Sequence, residues 1–340
     1  MNRLKQLLCC VGLAAALVPM AAAWADQPLD LAREDVRAFI EGAQQRHGLQ
    51  PDAVRAVLGL ARLQPPIIEA ISRPAERVRP WHEYRKIFIT EERIAAGAAF
   101  WREHRDQLER VAAESGVPEE MLVGIIGVET YYGRILGRYR VLDALATLAF
   151  DYPPRSAFFS KELEQFILLS GEQGLAIDGP VGSYAGAMGL PQFIPSSYRA
   201  YAVDGDGDGR VDLWESTDDI LASVANYFRV HGWRPGEPVV APAVPGGSDP
   251  APLAHQGLSA NTTVGALWQA GIGLAGPAPA DPAAAAGLFA QEREDGTAYW
   301  AGFHNFYVIT RYNRSLMYAL AVHELGEAVR SRVEAGADAG

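Results

Sequence analysis

Cysteine is nearly absent from this 340-residue chain, and the two present, Cys9 and Cys10, stand side by side near its start. They fall within a leader argued below to be removed, so the mature chain is expected to hold no disulfide, no thiolate metal site and no cysteine nucleophile. Basic residues are also short, with 30 Lys and Arg against 41 Asp and Glu and a formal net charge of −11. That balance argues against a nucleic-acid binder relying on phosphate contacts. Methionine numbers only five, too few for the Met-rich groove that calcium sensors expose. What is there is a globular composition, 49% hydrophobic and 21% charged. The length suits roughly two domains of about 150 residues each, enough to bury a real core.

Residues 1–25 read as a secretory signal. Arg3 and Lys5 supply a positive start, Leu7 to Met20 an apolar stretch, and Ala23-Trp24-Ala25 a small-x-small cleavage site before Asp26. The apolar stretch is too short to favour a bilayer span, so no membrane span is expected in the mature chain. A lipid anchor would need a cysteine closing that stretch, whereas Cys9 and Cys10 come near its beginning. Cleavage and export to the periplasm, without an anchor, are therefore expected, in a compartment where calcium is available.

From Leu31 to about Gly116, apolar residues recur at three- and four-residue steps, which predicts helices broken at Gly48, at Pro65-Pro66 and around Arg73 to Pro80. A second helical block is predicted from Val117 to about Phe228. It is interrupted at Asp151 to Pro154, at Gly179 to Gly189 and at an acidic glycine loop, Asp204 to Glu215. Between Gly232 and Gly302 the composition shifts to Pro, Gly and Ala, with β-like runs at Val239-Val240 and Thr262-Thr263-Val264. Asp281 to Gly287 reads as Ala-rich loop or short helix. Helical spacing returns at Ser315 to Val329. The expected division is a helical region at 26–114, a core at 115–232, a strand-containing subdomain at 233–302, a return to the core at 303–330 and a tail at 331–340.

The stretch Asp204-Gly205-Asp206-Gly207-Asp208-Gly209-Arg210-Val211-Asp212-Leu213-Trp214-Glu215 fits the twelve-residue calcium-loop template. Asp204, Asp206 and Asp208 hold positions one, three and five. Gly209 permits the turn, Arg210 offers its carbonyl, Asp212 binds directly or through water, and Glu215 closes the loop with two oxygens. So many carboxylates in twelve residues repel one another unless a cation neutralises them. With one such loop, a structural Ca2+ clamp is expected rather than a switch.

Leu122, Ile125, Ile126 and Glu129 share the i, i+3, i+4, i+7 spacing of one helix face, which places Glu129 on a buried stripe. Glu119 and Glu120, in the first turn, read as ordinary surface acids. Burial disfavours the charged form, so the pKa of Glu129 should rise toward the range of a general acid. On spacing alone, an ion pair with Arg134, Arg138 or Arg140 explains the residue equally well.

The segments Gly127-Val128-Glu129-Thr130-Tyr131-Tyr132-Gly133, Leu142 to Leu148, Gly182 to Gly189, Gln192 to Tyr198, Ser223 to Phe228 and Asn305 to Asn313 occur in an order that resembles the membrane-bound lytic murein transglycosylase B family. The resemblance covers roughly Leu31 to Val329, including the calcium loop. It implies a mainly α fold, in which a lysozyme-like helical catalytic core carries an additional N-terminal helical region and a small strand-containing subdomain. It also implies that Glu129 is the only catalytic acid/base. Ser183, Gln192, Tyr227, Tyr312, Asn313 and Tyr318 would line the glycan groove, with Tyr84 and Arg155 as outer members. Pro154 departs from relatives that carry two arginines there, which puts the contact of Arg155 in doubt.

The implied activity is cleavage of the MurNAc-GlcNAc bond of peptidoglycan strands without water, leaving 1,6-anhydro ends, with Asn313 or Ser183 orienting the N-acetyl group. Hydrolysis by a muramidase and non-catalytic, calcium-stabilised peptidoglycan binding are the alternatives. The sequence names no protein partner.

Overall fold

The computed structural model describes residues 26–72 and 79–337, so the expected leader with Cys9 and Cys10 lies outside the described residues. The described chain is mainly helical. It begins with α1 (Glu34–His47), α2 (Pro51–Gly59), α3 (Pro65–Ser72), α4 (Trp81–Phe88), α5 (Glu91–Glu103) and α6 (Arg105–Ser115), with a short strand pair, β1 (Gln27–Pro28) and β2 (Arg62–Leu63), among them. Then come α7 (Glu119–Thr130), β3 (Tyr139–Arg140), α8 (Val141–Asp151), α9 (Ser156–Gln173), β4 (Val181–Gly182), α10 (Pro195–Tyr201) and α11 (Thr217–Val230). The sheet region holds β5 (Val240–Pro245), β6 (Thr262–Thr263), α12 (Val264–Gln269), β7 (Ile272–Leu274), β8 (Ala285–Arg293) and β9 (Gly296–Gly302). Finally, α13 (His304–Tyr312) and α14 (Leu316–Ala337) return to the helical body.

Local chemistry sets several helix boundaries. The Thr90 side chain accepts from Arg93 N and starts α5, and Ser216 does the same with Asp219 N for α11. At the other ends, α1 and α6 stop at Gly48 and Gly116, both in the left-handed conformation.

Helix α7 is the centre of the molecule. Every residue from Met121 to Val128 is buried, so the helix carries no single apolar stripe, contrary to the sequence reading. An all-round apolar helix belongs inside a core, and α7 packs against α5, α6, α11 and, most extensively, α14. Even its first turn is partly covered. Glu120 faces Arg330 at 3.4 Å rather than open solvent, and burial holds its carboxyl above the usual range.

Helices α7 and α14 approach closely because two glycines let them. A Cβ on Gly326 would lie 2.2 Å from the Glu120 carbonyl, and one on Gly124 would lie 2.5 Å from that of Val322. This crossing sets the height at which Tyr318, near the start of α14, stands beside the last turn of α7.

The larger sheet is antiparallel, in the order β6-β8-β9-β5-β7. Its own small core joins Ala241, Val264, Leu267, Ile272, Leu288 and Phe303, and Phe289 stacks on Phe306 at 5.0 Å to tie it to α13. The expected loop or short helix at 281–287 is corrected here. Residues 281–284 are loop, but Ala285 to Gly287 open β8 and pair with β6 and β9, sheet pairing overriding the helix preference of the four alanines from Ala283 to Ala286.

Candidate active site

Glu129 sits in the last turn of α7. The chain reverses directly after it, with Tyr131 and Tyr132 both in the left-handed region at φ 52° and 57°. The reversal is braced from two sides. The Thr130 hydroxyl lies 3.1 Å from the Leu190 carbonyl and donates to it. The Tyr131 ring lies between the guanidinium groups of Arg93 and Arg134, at 4.5 and 4.8 Å.

Packed side chains crowd the half-buried Glu129 at the cleft, and the desolvation of its carboxyl pushes its pKa up to about 7. A hydrogen bond from the Tyr318 hydroxyl to Oε1 opposes part of the rise. Burial and the neighbouring Glu129 keep the Tyr318 phenol itself well above its ordinary range, so it remains a donor.

The three arginines considered as ion-pair partners are engaged elsewhere. Arg140 closes a two-point contact on Asp143, with Nε to Oδ2 at 2.8 Å and Nη2 to Oδ1 at 2.6 Å. Arg134 and Arg138 rest over Tyr131 and Tyr139. Among the described residues, none forms a salt bridge with Glu129.

A cleft of about 510 Å3 opens over the carboxyl, lined by Glu129, Ser183, Tyr184, Gln192 and the segment from Arg134 to Tyr139. Ser183 Oγ accepts from the backbone N–H groups of Ala185 and Ala187 at 3.2 and 3.1 Å, which leaves its own proton free to donate. Gln192 is held in the left-handed region at φ 53°, uncommon for a side chain of that size. Its amide nitrogen donates to the Gly189 carbonyl at 2.9 Å, so its amide oxygen remains free to accept. The cleft therefore pairs one acid with the Ser183 hydroxyl donor and the Gln192 amide acceptor, beside the phenols of Tyr139 and Tyr184. Glu129 is the only carboxylate among the residues that line it.

Three tyrosines expected to line the glycan groove spend their hydroxyl protons on the protein. Tyr312 donates to the Pro191 carbonyl at 2.6 Å, Tyr227 to that of Arg311 at 2.7 Å, and Tyr318 to Glu129. Tyr227 and Tyr312 pack with centroids 4.7 Å apart, and Phe193 lies within 6 Å of both. Together they form one aromatic cluster, whose Tyr312 lies near enough to Glu129 to feel its charge. Tyr84 on α4 is part of the same neighbourhood, because burial and then the Glu129 charge hold its phenol above its ordinary value.

Asn313 is exposed just past α13 and is not part of the cleft lining, and neither is Arg155. The Arg155 guanidinium instead lies over Phe158 and Phe159, at 4.4 and 5.0 Å. Tyr184, Arg134, Ile135, Arg138 and Tyr139 line the cleft without having been singled out as groove residues. Their signal was adjacency, since they flank the same segments that carry Glu129 and Ser183.

A larger hollow of about 730 Å3 lies between α4, α14 and the turn joining β8 to β9. Its ionic groups are closed on each other as Arg85–Glu324 and Lys86–Glu294, and Glu129 does not line it.

The acidic loop folds around its own backbone. Asp204 accepts from the N–H groups of Gly207 and Gly209 at 2.6 and 2.8 Å, Asp208 from Arg210 at 2.8 Å, and Asp212 from Trp214 and Glu215 at 2.8 and 3.0 Å. The carboxylates that converge are Asp204, Asp206 and Asp219, with one oxygen of each within 4.8 Å of the others. Asp219, beyond the twelve-residue template, is only 1% exposed. It accepts from Gly205 N at 2.7 Å and Asp212 N at 2.6 Å. Glu215, assigned the closing position by the template, is exposed and outside this cluster, as are Asp208 and Arg210, and Asp212, partly buried, is outside it too. Three hard oxygen donors at this spacing fit Ca2+ in chemistry and charge.

The family model described as the transglycosylase SLT domain matches residues 32–327. Membrane-bound lytic murein transglycosylase B of Escherichia coli (strain K12) is 41% identical over 307 residues, 87% of this chain and 82% of that protein. Among solved structures, the catenated lytic transglycosylase SltB1 from Pseudomonas aeruginosa is similar with a TM-score of 0.84 and 44% identity, over 88% of this chain and 98% of that one. The Escherichia coli lytic transglycosylase Slt35 in complex with calcium has a TM-score of 0.81 and 39% identity, over 91% and 96% of the two chains.

Proposed function

Since the chain belongs to the transglycosylase SLT domain family and is a peptidoglycan lytic transglycosylase, we propose that Glu129 alone runs both proton transfers of a water-free cleavage of the MurNAc-GlcNAc bond. The observation that carries this reading is the solitary carboxyl in the cleft, raised to about 7 and held by Tyr318. Glycoside hydrolysis ordinarily uses two carboxylates. Asp143, the nearest candidate in sequence, is buried and bound by Arg140 and by Arg62 N at 2.8 Å, while Asp151 pairs with Arg33 at 2.8 Å.

In the proposed reaction, protonated Glu129 gives its proton to the glycosidic oxygen as the bond from that oxygen to C1 of the muramoyl sugar breaks. The N-acetyl oxygen of the same sugar attacks C1 and spreads the positive charge into an oxazolinium-like ring. Ionised Glu129 then takes the proton of the sugar's 6-hydroxyl while O6 bonds to C1 and the N-acetyl oxygen leaves. The enzyme ends protonated as it began, and no water enters. Free to donate, the Ser183 hydroxyl suits the orientation of the N-acetyl carbonyl or O6, and the Gln192 amide oxygen suits acceptance from a sugar hydroxyl or N–H. Holding the 6-hydroxyl against C1 supplies the proximity advantage of an intramolecular step.

The catalytic body in this reading is 115–232 with 303–330, since Glu129 and Tyr318 come from its two halves. Ca2+ bound by the acidic loop would neutralise its clustered charge and brace the start of α11, on which Tyr227 sits. Its role here is structural. Export to the periplasm fits both the substrate and the N-terminal leader. The relative named above is membrane-bound by name, whereas no helix among the described residues is long and apolar enough to cross a membrane.

The test is digestion of murein in heavy-oxygen water. Closure by O6 leaves muramic ends that are unlabelled, resistant to borohydride and about 18 Da lighter than hydrolytic ends, because one water is absent. Labelled, reducible ends as the main product would make the enzyme a muramidase.

A further inference from the structure

We infer that Arg134 and Arg138, at the rim of the cleft, read the carboxylates of the stem peptide, and so direct the enzyme to strands whose stems carry free carboxylates over strands whose stem carboxylates are blocked. This rests on the proposed cleavage of murein in the Glu129 cleft. It begins from a local inversion of charge. The chain as a whole is acidic by 11 charges, yet the cleft lining carries two arginines against the single carboxyl of Glu129. That carboxyl is half-protonated near neutrality. In a stem-bearing strand the lactyl carboxyl is tied up in the amide to the peptide, so the glycan backbone itself gives an arginine pair nothing of opposite charge to meet. The stem peptide that hangs from the muramoyl lactyl group does, since its side-chain and terminal carboxylates are anionic at neutral pH.

The geometry favours recognition over chance exposure. Among the described residues, neither arginine forms a salt bridge with a carboxylate of the protein. Each guanidinium is instead laid on an aromatic ring, Arg134 at 4.8 Å from the Tyr131 centroid and Arg138 at 5.4 Å from that of Tyr139. Stacking orients each fork and leaves donors for a two-point carboxylate contact; Arg138 Nη2 also reaches the Tyr139 hydroxyl at 3.4 Å.

The segment between them is held firmly. Gly137, at φ 98°, packs so near the Gly182 carbonyl that a Cβ would come within 2.0 Å of it, and Tyr139 pairs with Gly182 in the β3–β4 ladder. Arg138 and Tyr139 also line a second hollow of about 400 Å3, together with Gln64, Arg140, Asp26 and Asp143, the last of these bound by Arg140. A stem peptide leaving the muramoyl sugar above Glu129 thus has a cationic rim to cross and a hollow in which to continue.

The experiment compares three forms of purified murein strand at low salt: stems intact, stems with their carboxylates amidated, and strands stripped of stems by an amidase, which carry one freed lactyl carboxylate per muramoyl sugar. The native enzyme should cut intact strands with a kcat/KM about fivefold above amidated ones, the range expected of two exposed charge contacts. That advantage should shrink as salt rises, because screening weakens exposed pairs. The double variant Arg134→Gln/Arg138→Gln should bring the ratio near one, mainly through KM. Arg134→Lys/Arg138→Lys, which keeps charge without the planar fork, should keep part of it. Each ratio comes from one preparation, so a loss of folded protein cancels.

Equal native efficiency on intact and amidated strands would overturn the inference, as would a ratio unchanged in the glutamine variant. Either result leaves the transglycosylase reading intact. Failure of the native enzyme to cut any of the three would overturn that reading, and this inference with it.

Discussion

The Tyr318 hydroxyl and Glu129 Oε1 meet across 189 residues of sequence, one from the first turn of α14 and the other from the last turn of α7. The contact holds two opposing influences in balance. Desolvation keeps the carboxyl protonated near neutrality, and the phenol's hydrogen bond lets it ionise without leaving an uncompensated charge. A group that must act first as acid and then as base needs both, since its best pKa lies near the working pH.

Replacing Glu129 by Gln keeps size and polarity but removes the exchangeable proton. Turnover should fall by about 10² to 10⁴, the usual worth of a general acid–base group, with glycan binding retained. The stability effect has a definite sign. A carboxyl at about 7 in the fold and 4.5 unfolded contributes fully below pH 4.5, and that contribution is lost as pH rises through 7. Glu129→Gln should therefore be more stable than the native protein at pH 8, by on the order of 1–3 kcal/mol, with the gap closing near pH 4.5. Denaturant curves at both pH values decide it. Undiminished turnover would move the catalytic carboxyl elsewhere.

Tyr318→Phe removes the bond that favours ionised Glu129, so the pKa of Glu129 should rise further. The high-pH limb of the rate profile reports loss of the acid form, and it should move to higher pH. Meanwhile kcat should fall roughly tenfold, about the worth of a hydrogen bond to a charged group. A purely structural phenol would lower the whole profile without moving the limb, and that outcome would remove Tyr318 from the proton chemistry.

Glu129 was legible in the sequence because a carboxylate inside an apolar helix is a conspicuous exception. Its neighbour Tyr318 was not legible from spacing, since no periodicity connects residues 189 apart, and only the family resemblance pointed to it. The convergence of Asp219 with the loop escaped the twelve-residue template because that template ends at Glu215. Yet Ser216-Thr217-Asp218-Asp219 already has the shape of a helix start. Strand β8 was hidden by its alanines, although Asp295-Gly296 after it is a strong hairpin-turn signal. The all-round burial of α7 could not be read locally, because it depends on which helices surround it.

Close packing of α14 on α7 makes Gly326 a second handle on the site. Its Cβ in Gly326→Ala would meet the Glu120 carbonyl, a backbone atom that cannot swing away. The helices must separate, at a cost of about 1–3 kcal/mol, and Tyr318 would lose its register with Glu129. We expect a lower melting temperature together with a pH profile altered in the same direction as in Tyr318→Phe. Native stability in this variant would mean that the crossing is looser than its geometry implies.

Calcium offers the sharpest division between template and structure. Three converging carboxylates repel one another, so a bound cation should raise the melting temperature, and at one hundred times its dissociation constant it stabilises by about 2.7 kcal/mol. The informative quantity is the difference with and without calcium. Asp219→Asn also weakens two backbone contacts that the native carboxylate accepts, which lowers the baseline by itself. Asp204→Asn and Asp219→Asn should abolish most of the calcium-dependent rise, whereas Glu215→Gln, at an exposed residue outside the cluster, should preserve most of it. Under the proposed structural role, in which the metal braces α11 and takes no part in proton transfer, activity lost to a chelator should return on adding calcium. If Glu215→Gln erases the rise while Asp219→Asn spares it, the ligands are those of the twelve-residue template. A melting temperature indifferent to calcium and chelator alike would remove the metal from the fold altogether.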